Sequence, residues 1–273
     1  MNDFIDFALA HGIVIDALPP LGVWKRYRTT DKPGSRNGAV KFMGSYGHVQ
    51  NHATMLDVST WRNQGELTIA VQEIEGIALQ ASQEVTKFNA QAAEKANWIL
   101  SQCQVKKHAY LESKGFPDEV VNVWKTVSGP VAVIPMRIGN EVCGCQLISE
   151  SGEKKFLQGQ RSGGAQFIFS NRGEHILCEG FATALSIRHA LKNLKRKYTI
   201  HVCFSAGNMT KIASMLDGGL VVADNDKSGT GERVAREIGW PYWMSDAVGE
   251  DFNDAHKRMG LFAVSQSLLK ARM

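Results

Sequence analysis

Two apolar runs that each end in acidic residues constrain this chain more than any other feature of its sequence. The runs cover residues 176–180 and 221–226 and consist mainly of Ile, Leu, Val, Ala and Cys. Short apolar runs before a turn signal are typical of buried strands. A carboxylate is costly inside a buried strand, so Glu179, Asp224 and Asp226 belong at the strand exits. Open α/β sheets place their chemistry at this edge, outside the carboxyl ends of the strands.

Three carboxylates at one sheet edge repel one another, and a divalent cation relieves that repulsion. Mg²⁺ prefers oxygen ligands and is usually bound by one or two carboxylates together with substrate phosphates. Asp224 and Asp226 are two positions apart, so both can face one crevice from an extended backbone. Residues 227–231 then begin a helix whose N-terminal amides favour a phosphate. Each motif alone is more often a helix start or a capped turn, but together they favour a metal-dependent phosphate site.

The rest of the chain predicts three regions. From residue 130 onward, strand-like and helix-like segments alternate, which favours a mainly parallel sheet with right-handed crossovers. Residues 66–128 are rich in Ala, Gln, Glu and Lys and predict a helical linker. Residues 1–65 hold turn signals between short β-leaning pieces. The predicted fold class is therefore α/β: a mainly parallel sheet flanked by helices, preceded by a helical linker and a small β-rich N-terminal module.

Composition sets broad limits on the class of protein. The 273 residues include 44% hydrophobic residues and carry a formal net charge of +4, which fits a packed globule and permits nucleic-acid binding without requiring it. The five cysteines contain no CxxC pair, so neither a disulfide framework nor a four-cysteine zinc site is predicted. A basic n-region and a long apolar stretch are both missing from the sequence, which predicts a cytoplasmic protein.

The two acid-terminated runs resemble the Toprim domain, the metal-binding α/β fold of bacterial-type primases, type IA and II topoisomerases and some nucleases. In that family a strand ending in Glu-Gly precedes a strand ending in Asp-x-Asp, as at Glu179-Gly180 and Asp224-Asn225-Asp226. The likeness is closer still to primase-like proteins of phages and plasmids. Further matching segments are residues 181–184, 205–208, 251–254, 108–115, 134–137 and 155–157. The resemblance implies a Toprim core at about 174–260, inside a primase-type catalytic region at 129–273.

The resemblance also implies an activity and a set of site residues. It predicts a DNA primase, a nucleotidyltransferase of the DNA-directed RNA polymerase type, which makes short RNA primers for DNA replication on single-stranded DNA. Glu179 would be the general acid or base, and Asp224 and Asp226 would be catalytic metal ligands. Asp251 would be a further ligand, so that Glu179 and the three aspartates together surround Mg²⁺ or Mn²⁺.

The N-terminal module departs from the family pattern. It occupies the position of the zinc ribbon of such primases but contains no cysteine, and His48 and His52 alone do not complete a zinc site, so no zinc is predicted. Its aromatic residues are interleaved with basic ones, and they either stack bases of single-stranded DNA or form the core of the module. These aromatic residues are Trp24, Tyr27, Tyr46 and Trp61.

Basic residues near the glycine-rich loop and the Asp-x-Asp motif are the predicted substrate contacts. Lys154, Lys155 and Arg161 would contact triphosphate or template phosphates, or else form a solvated basic hairpin. Lys227 would contact phosphate or solvent. The predicted partners are a single-stranded DNA template, nucleoside triphosphates and, since the chain has no P-loop, a separate replicative helicase, with no membrane. Two alternatives stay open: a metal-dependent Toprim nuclease, and a non-catalytic nucleic-acid-binding accessory protein of replication.

Overall fold

The chain divides into two compact units, Met1–Lys87 and Phe88–Met273. The computed structural model of the protein describes residues 3–55, 57–63 and 71–271, without the side chains of residues 71–79, 81 and 82. The helical linker was predicted from residue 66, so its first residues, up to 70, lie outside the described part of the chain.

The first unit contains a five-stranded antiparallel sheet with a short helix on one face. Consecutive strands are neighbours in the order β1-β2-β3-β4-β5. The elements are α1 (Asp3–Ala10), β1 (Ile13–Val14), β2 (Trp24–Thr29), β3 (Gly38–Phe42), β4 (Tyr46–Asn51) and β5 (Ser59–Arg62). Phe4 of α1 is fully buried and stacks on Phe42, with ring centroids 4.9 Å apart. Any side chain at Gly47 would overlap the Phe4 ring, so close packing of α1 requires this glycine. The predicted β-rich module is therefore present.

A single long helix, α2 (Val71–Ser101), follows and contains the boundary between the two units. Its C-terminal part buries Ala96 and Ile99 against Val133, Cys145 and Leu157 of the second unit. Among the described helices, α2 included, none is both long enough and apolar enough to cross a membrane.

The second unit begins with another antiparallel sheet, in the order β10-β9-β8-β7-β6. Its elements are β6 (Gln104–Lys106), α3 (Ala109–Ser113), β7 (Val121–Thr126), β8 (Gly129–Ile138), β9 (Glu141–Ser149) and β10 (Lys154–Phe156). The predicted helical linker extended to residue 128, whereas residues 104–126 contribute two strands and a short helix to this sheet. The β8–β9 hairpin supplies the central strand of the sheet, β8, and one of its neighbours.

The third sheet is mixed and has the order β11-β13-β12-β14-β15. The edge strand β11 runs antiparallel to β13, while β12 pairs in parallel with β13 and β14, and β14 with β15. The strands are β11 (Phe167–Ser170), β12 (Glu174–Cys178), β13 (Tyr198–Val202), β14 (Leu220–Ala223) and β15 (Tyr242–Met244). The helices that pack on it are α4 (Phe181–Asn193), α5 (Ala206–Ala213), α6 (Thr230–Ile238), α7 (Phe252–Met259) and α8 (Leu261–Lys270).

The predicted fold class, a mainly parallel Toprim-like sheet, is wrong for this chain. Two of the three sheets in the described residues are antiparallel throughout, and the third is mixed. The reason lies in the connections. Parallel strands need a crossover of a dozen or more residues, whereas most strands before residue 157 are joined by short turns that allow only antiparallel neighbours. The sequence pattern of alternating strands and helices begins only at β12.

Candidate active site

The parallel pairing of β12 with β14 brings two acidic residues to the same sheet edge. In the register, Cys178 lies opposite Val222, so the next residues of both strands leave the sheet together. Glu179 directly follows β12, and Asp224 directly follows β14. The first turn of α6 packs closely against the backbone of Asp224. Position 231 in this turn requires glycine, because any side chain there would overlap the carbonyl of Asp224.

Asp224 has the most strongly perturbed carboxyl group at this edge. Burial, together with the negative charges of Asp251, Glu179 and Asp226, raises its pKa to about 7, although the charge of Lys154 opposes the shift. Its Oδ1 atom is buried and has no hydrogen-bond partner among the described residues. A buried polar atom without a partner is costly, and native proteins generally satisfy such atoms. The carboxylate of Asp224 is therefore the group at this edge that a bound cation would stabilise most.

Glu179 shares this environment. Burial raises its pKa, the charge of Lys154 lowers it, and the charge of Asp226 raises it. The Nζ atom of Lys154 comes within 4.0 Å of the point where Gly180 would carry a Cβ atom. The backbone carbonyl of Glu179 accepts a hydrogen bond of 2.9 Å from the N–H of Phe204, which fixes the strand exit. A raised pKa makes the Glu179 carboxylate a stronger base than an ordinary glutamate.

Asp226 behaves differently from Glu179 and Asp224. Its carboxylate accepts hydrogen bonds from the backbone N–H groups of Ser228 at 2.7 Å and of Thr230 and Gly231 at 3.4 Å, and from the Ser228 hydroxyl. These hydrogen bonds hold the pKa of Asp226 below its usual value. Both oxygens thus accept hydrogen bonds from the start of α6, while the charge of Asp226 still raises the pKa of both Glu179 and Asp224.

Asp251 reaches the site from the other side of β14. Asn225 holds the loop before α7, because its backbone N–H donates to the carbonyl of Glu250 at 3.2 Å and its side chain donates to the carbonyl of Ser245 at 2.8 Å. Asp251 then caps α7 by accepting a bond of 2.8 Å from the N–H of Asp254. Its charge also raises the pKa of the buried Tyr110. The capping role that the sequence allowed for Asp251 therefore coexists with a place beside Asp224.

The oxygen donors at this edge suit a hard divalent cation, but they do not enclose one by themselves. Within the described part of the chain, no three His, Cys, Asp or Glu side chains are arranged to hold a metal ion together. The unpartnered Oδ1 of Asp224 nevertheless fits a cation, and Mg²⁺ is usually bound by one or two carboxylates, waters and substrate phosphates. The arrangement therefore fits an open metal site that a substrate completes.

The predicted basic contacts separate into two groups. Lys154 lies among the carboxylates, as its effect on the pKa of both Glu179 and Asp224 shows. Lys155 is exposed and pairs with Glu153 at 3.1 Å. Arg161 and Lys227 are exposed, and none of their described contacts reaches the four acids.

A cavity that the sequence does not predict is lined in part by Phe204, whose N–H group donates to the carbonyl of Glu179. It has a volume of about 310 Å³ and is lined by aromatic, apolar and polar side chains that include Phe156, Phe204, Ser162 and Asn208. Phe156 is half exposed and meets Phe204 edge to face, with ring centroids 6.3 Å apart. Phe204 has a positive φ of 65°, which is a rare backbone conformation for a bulky residue and often marks a functional position. Only the three-dimensional path of the chain brings these two rings together.

A buried asparagine fixes the glycine-rich loop next to this cavity. Asn208 accepts a bond of 2.7 Å from the N–H of Gly164 and donates bonds of 2.7 Å to the carbonyls of Ala165 and Cys203. Lys211, one helical turn later, lies against Gly163. The loop is therefore a defined wall of the site. The chain as a whole matches no family model and no curated protein.

Proposed function

We propose that this protein is a primase-like enzyme that joins nucleoside triphosphates into short RNA on single-stranded DNA by metal-dependent nucleotidyl transfer. The single observation that carries the proposal is the buried, unpartnered carboxylate oxygen of Asp224, with Glu179, Asp251 and Lys154 around it. The resemblance of the motifs to Toprim primases supports the same activity. A buried carboxylate that is costly for the folded protein, next to charged partners in an open crevice, is a feature of functional sites.

A divalent cation is the natural counter-charge for this arrangement. When bound, Mg²⁺ or Mn²⁺ neutralises charge on the triphosphate and aligns the attacking and leaving oxygens. Asp224 and Asp251 would hold it, with Glu179 adjacent. Asp226 would join only after exchanging its hydrogen bonds at the start of α6.

Side chains of the protein would supply proton transfer and the contacts to the nucleotide. Glu179, with its raised pKa, can take the proton of the attacking hydroxyl group. Lys154 lies where it can contact the phosphates of a bound nucleotide. Phe156 and Phe204 line one cavity, and Phe204 is hydrogen-bonded to the carbonyl of Glu179. Their rings are available to a base, and base–aromatic stacking contributes about 1–3 kcal/mol.

We also infer a cytoplasmic location, where nucleoside triphosphates and replicating DNA occur. All five cysteines are free thiols, which suits a reducing compartment.

The direct test is synthesis of labelled oligonucleotides. The full-length protein is incubated with single-stranded DNA, labelled nucleoside triphosphates and Mg²⁺ or Mn²⁺, beside the variants Asp224→Asn and Glu179→Gln. The matched control is Asp217→Asn, which makes the same chemical change at an exposed position before β14. We expect oligomers from the wild type and the control and none from the two site variants. Degradation of the template without incorporation would instead indicate the nuclease alternative, and binding without turnover would indicate the accessory protein.

A further inference from the structure

The N-terminal sheet has two faces of opposite character. One face packs on α1 and buries Tyr27, Val40 and Val49 with Phe4. Side chains alternate along each strand, so the neighbouring positions point to the opposite face. The register confirms which residues share that outer face, because Trp24 lies opposite Lys41, and Lys41 opposite His48.

The outer face is basic and lacks acidic side chains. It consists of the strand residues whose side chains point to the same side of the sheet as Trp24. They are Val14, Trp24, Arg26, Arg28, Ala39, Lys41, Tyr46, His48, Gln50, Thr60 and Arg62. Four of these strand residues are arginine or lysine, and none that the structure describes is Asp or Glu. A surface of one charge sign attracts a polyanion.

Aromatic rings lie among these basic groups. Trp24 is 48% exposed and is stacked on His48, with ring centroids 6.2 Å apart and an angle of 25° between the planes. Tyr46 meets the other side of His48 edge to face at 5.5 Å. Tyr27 and Trp61 belong to the buried face instead. The core prediction is therefore confirmed for Tyr27 and Trp61, whereas Trp24 and Tyr46 lie on the outer face, where the base-stacking prediction stays open.

A shallow cavity of about 260 Å³ adjoins the exposed tryptophan. Trp24, Arg26, Gln50 and His52 are among its lining residues. Burial and the charge of Arg26 lower the pKa of His52, and burial and the charge of Lys41 lower the pKa of His48, which favours the uncharged rings. The cavity therefore combines a stacking surface, a permanent cation and uncharged hydrogen-bonding groups.

We propose that this outer face binds single-stranded nucleic acid, with bases stacked on Trp24 and Tyr46 and phosphates held by Arg26, Lys41 and Arg62. Basic and aromatic residues alternate across a sheet in such a site because the backbone carries the charge and every base offers a flat π-face. A duplex would offer only its phosphates, since its bases are already stacked. The inference does not depend on the proposed catalysis.

The test measures binding without turnover. Fluorescence anisotropy of labelled oligo-dT or oligo-U, about 20 nucleotides long, is recorded with the full-length protein in EDTA and without nucleotides. We expect Trp24→Ala to weaken binding about five- to a hundredfold, from about 1–3 kcal/mol of stacking, and Trp24→Phe to retain most of it. Lys41→Ala should lower the slope of log affinity against log salt by about 1.

The controls separate this surface from the rest of the protein. Leu9→Ala removes an equally exposed apolar side chain from α1, and Lys197→Ala removes an exposed lysine of the second unit; both should bind as the wild type does. Asp224→Asn should also bind normally, so a failed binding test is distinct from a failed synthesis test. Binding of either oligomer more tightly than duplex supports the proposal, and the oligomer that binds more tightly shows whether the surface prefers DNA or RNA.

Two results would overturn the proposal. Equal affinity for single strands and duplex, unchanged by Trp24→Ala and Trp24→Phe, would show a surface that binds phosphates alone. Binding to vesicles of anionic lipid that depends on Trp24, without binding to either oligomer, would show a membrane surface. Circular dichroism of each variant confirms that the comparison is made between folded proteins.

Discussion

Replacing Asp224 by Asn should stabilise the protein at neutral and alkaline pH. The pKa of Asp224 rises from 3.8 to about 7 on folding, chiefly because the carboxyl group is buried. Above about pH 7 the folded state therefore carries an unfavourable charge that the unfolded state solvates freely. A shift of about 3 units corresponds to about 4 kcal/mol at most, since each unit is about 1.4 kcal/mol.

The sign of this effect fixes its pH dependence. Between the two pKa values the folded state binds one proton more than the unfolded state, so the stability of the wild type falls as the pH rises from about 4 to about 7. Asn carries no charge at any pH. We expect Asp224→Asn to raise the free energy of unfolding by about 2–4 kcal/mol at pH 8, and by less than about 0.5 kcal/mol at pH 4.

Urea denaturation at both pH values measures the difference, with Asp226→Asn as the matched control. Hydrogen bonds from the start of α6 lower the pKa of Asp226, so Asp226→Asn, which loses a negative charge at a helix N-terminus, should reduce stability at pH 8 by about 0.3–1 kcal/mol. Destabilisation by Asp224→Asn at pH 8, or an equal gain at pH 4 and pH 8, would refute the reasoning about buried charge.

Three further predictions follow from the same region. Lys154→Met should reduce oligomer synthesis at least about tenfold, whereas Lys155→Met, next in sequence but paired with Glu153, should stay within about twofold in the same assay. Asn208→Ala should lower the free energy of unfolding by about 2–4 kcal/mol in urea, because three buried backbone groups lose their partner, while Asn97→Ala at an exposed helix position should change it little. Phe156→Leu should raise the KM for nucleoside triphosphates about five- to a hundredfold with kcat less affected, and Phe156→Tyr should restore it; an unchanged KM in Phe156→Leu would remove the cavity from the substrate site.

The sequence predicts where the central strands end but not how every acid points. Glu179 and Asp224 leave β12 and β14 as their apolar runs indicate. Asp226 was expected to face the same crevice because side chains alternate on an extended backbone. The chain instead turns at once into the cap of α6, where three N–H groups compete for its oxygens. These hydrogen bonds join residues only two to five positions apart, so they form readily and decide the direction of the Asp226 side chain.

Long-range pairing is the part that local patterns do not contain. β11 reads as a strand, but nothing in Phe167–Ser170 indicates that it pairs with β13 in the antiparallel sense. The last two helices are separated by Gly260, whose φ of 82° ends α7 before α8 begins. Trp24 and Tyr27 are three positions apart in one strand, so they face opposite sides of the sheet. Only the position of α1 decides which side is buried.

Direct binding of a divalent cation tests the central claim most closely. Electron paramagnetic resonance of Mn²⁺ reports the loss of the free-ion signal as the protein is added, with and without a nucleoside triphosphate. We predict that the wild type and Asp217→Asn remove this signal, more strongly with nucleotide present, and that Asp224→Asn does not. Equal removal by Asp224→Asn and the wild type, or no removal by any of the proteins, would show that these acids do not form a metal site.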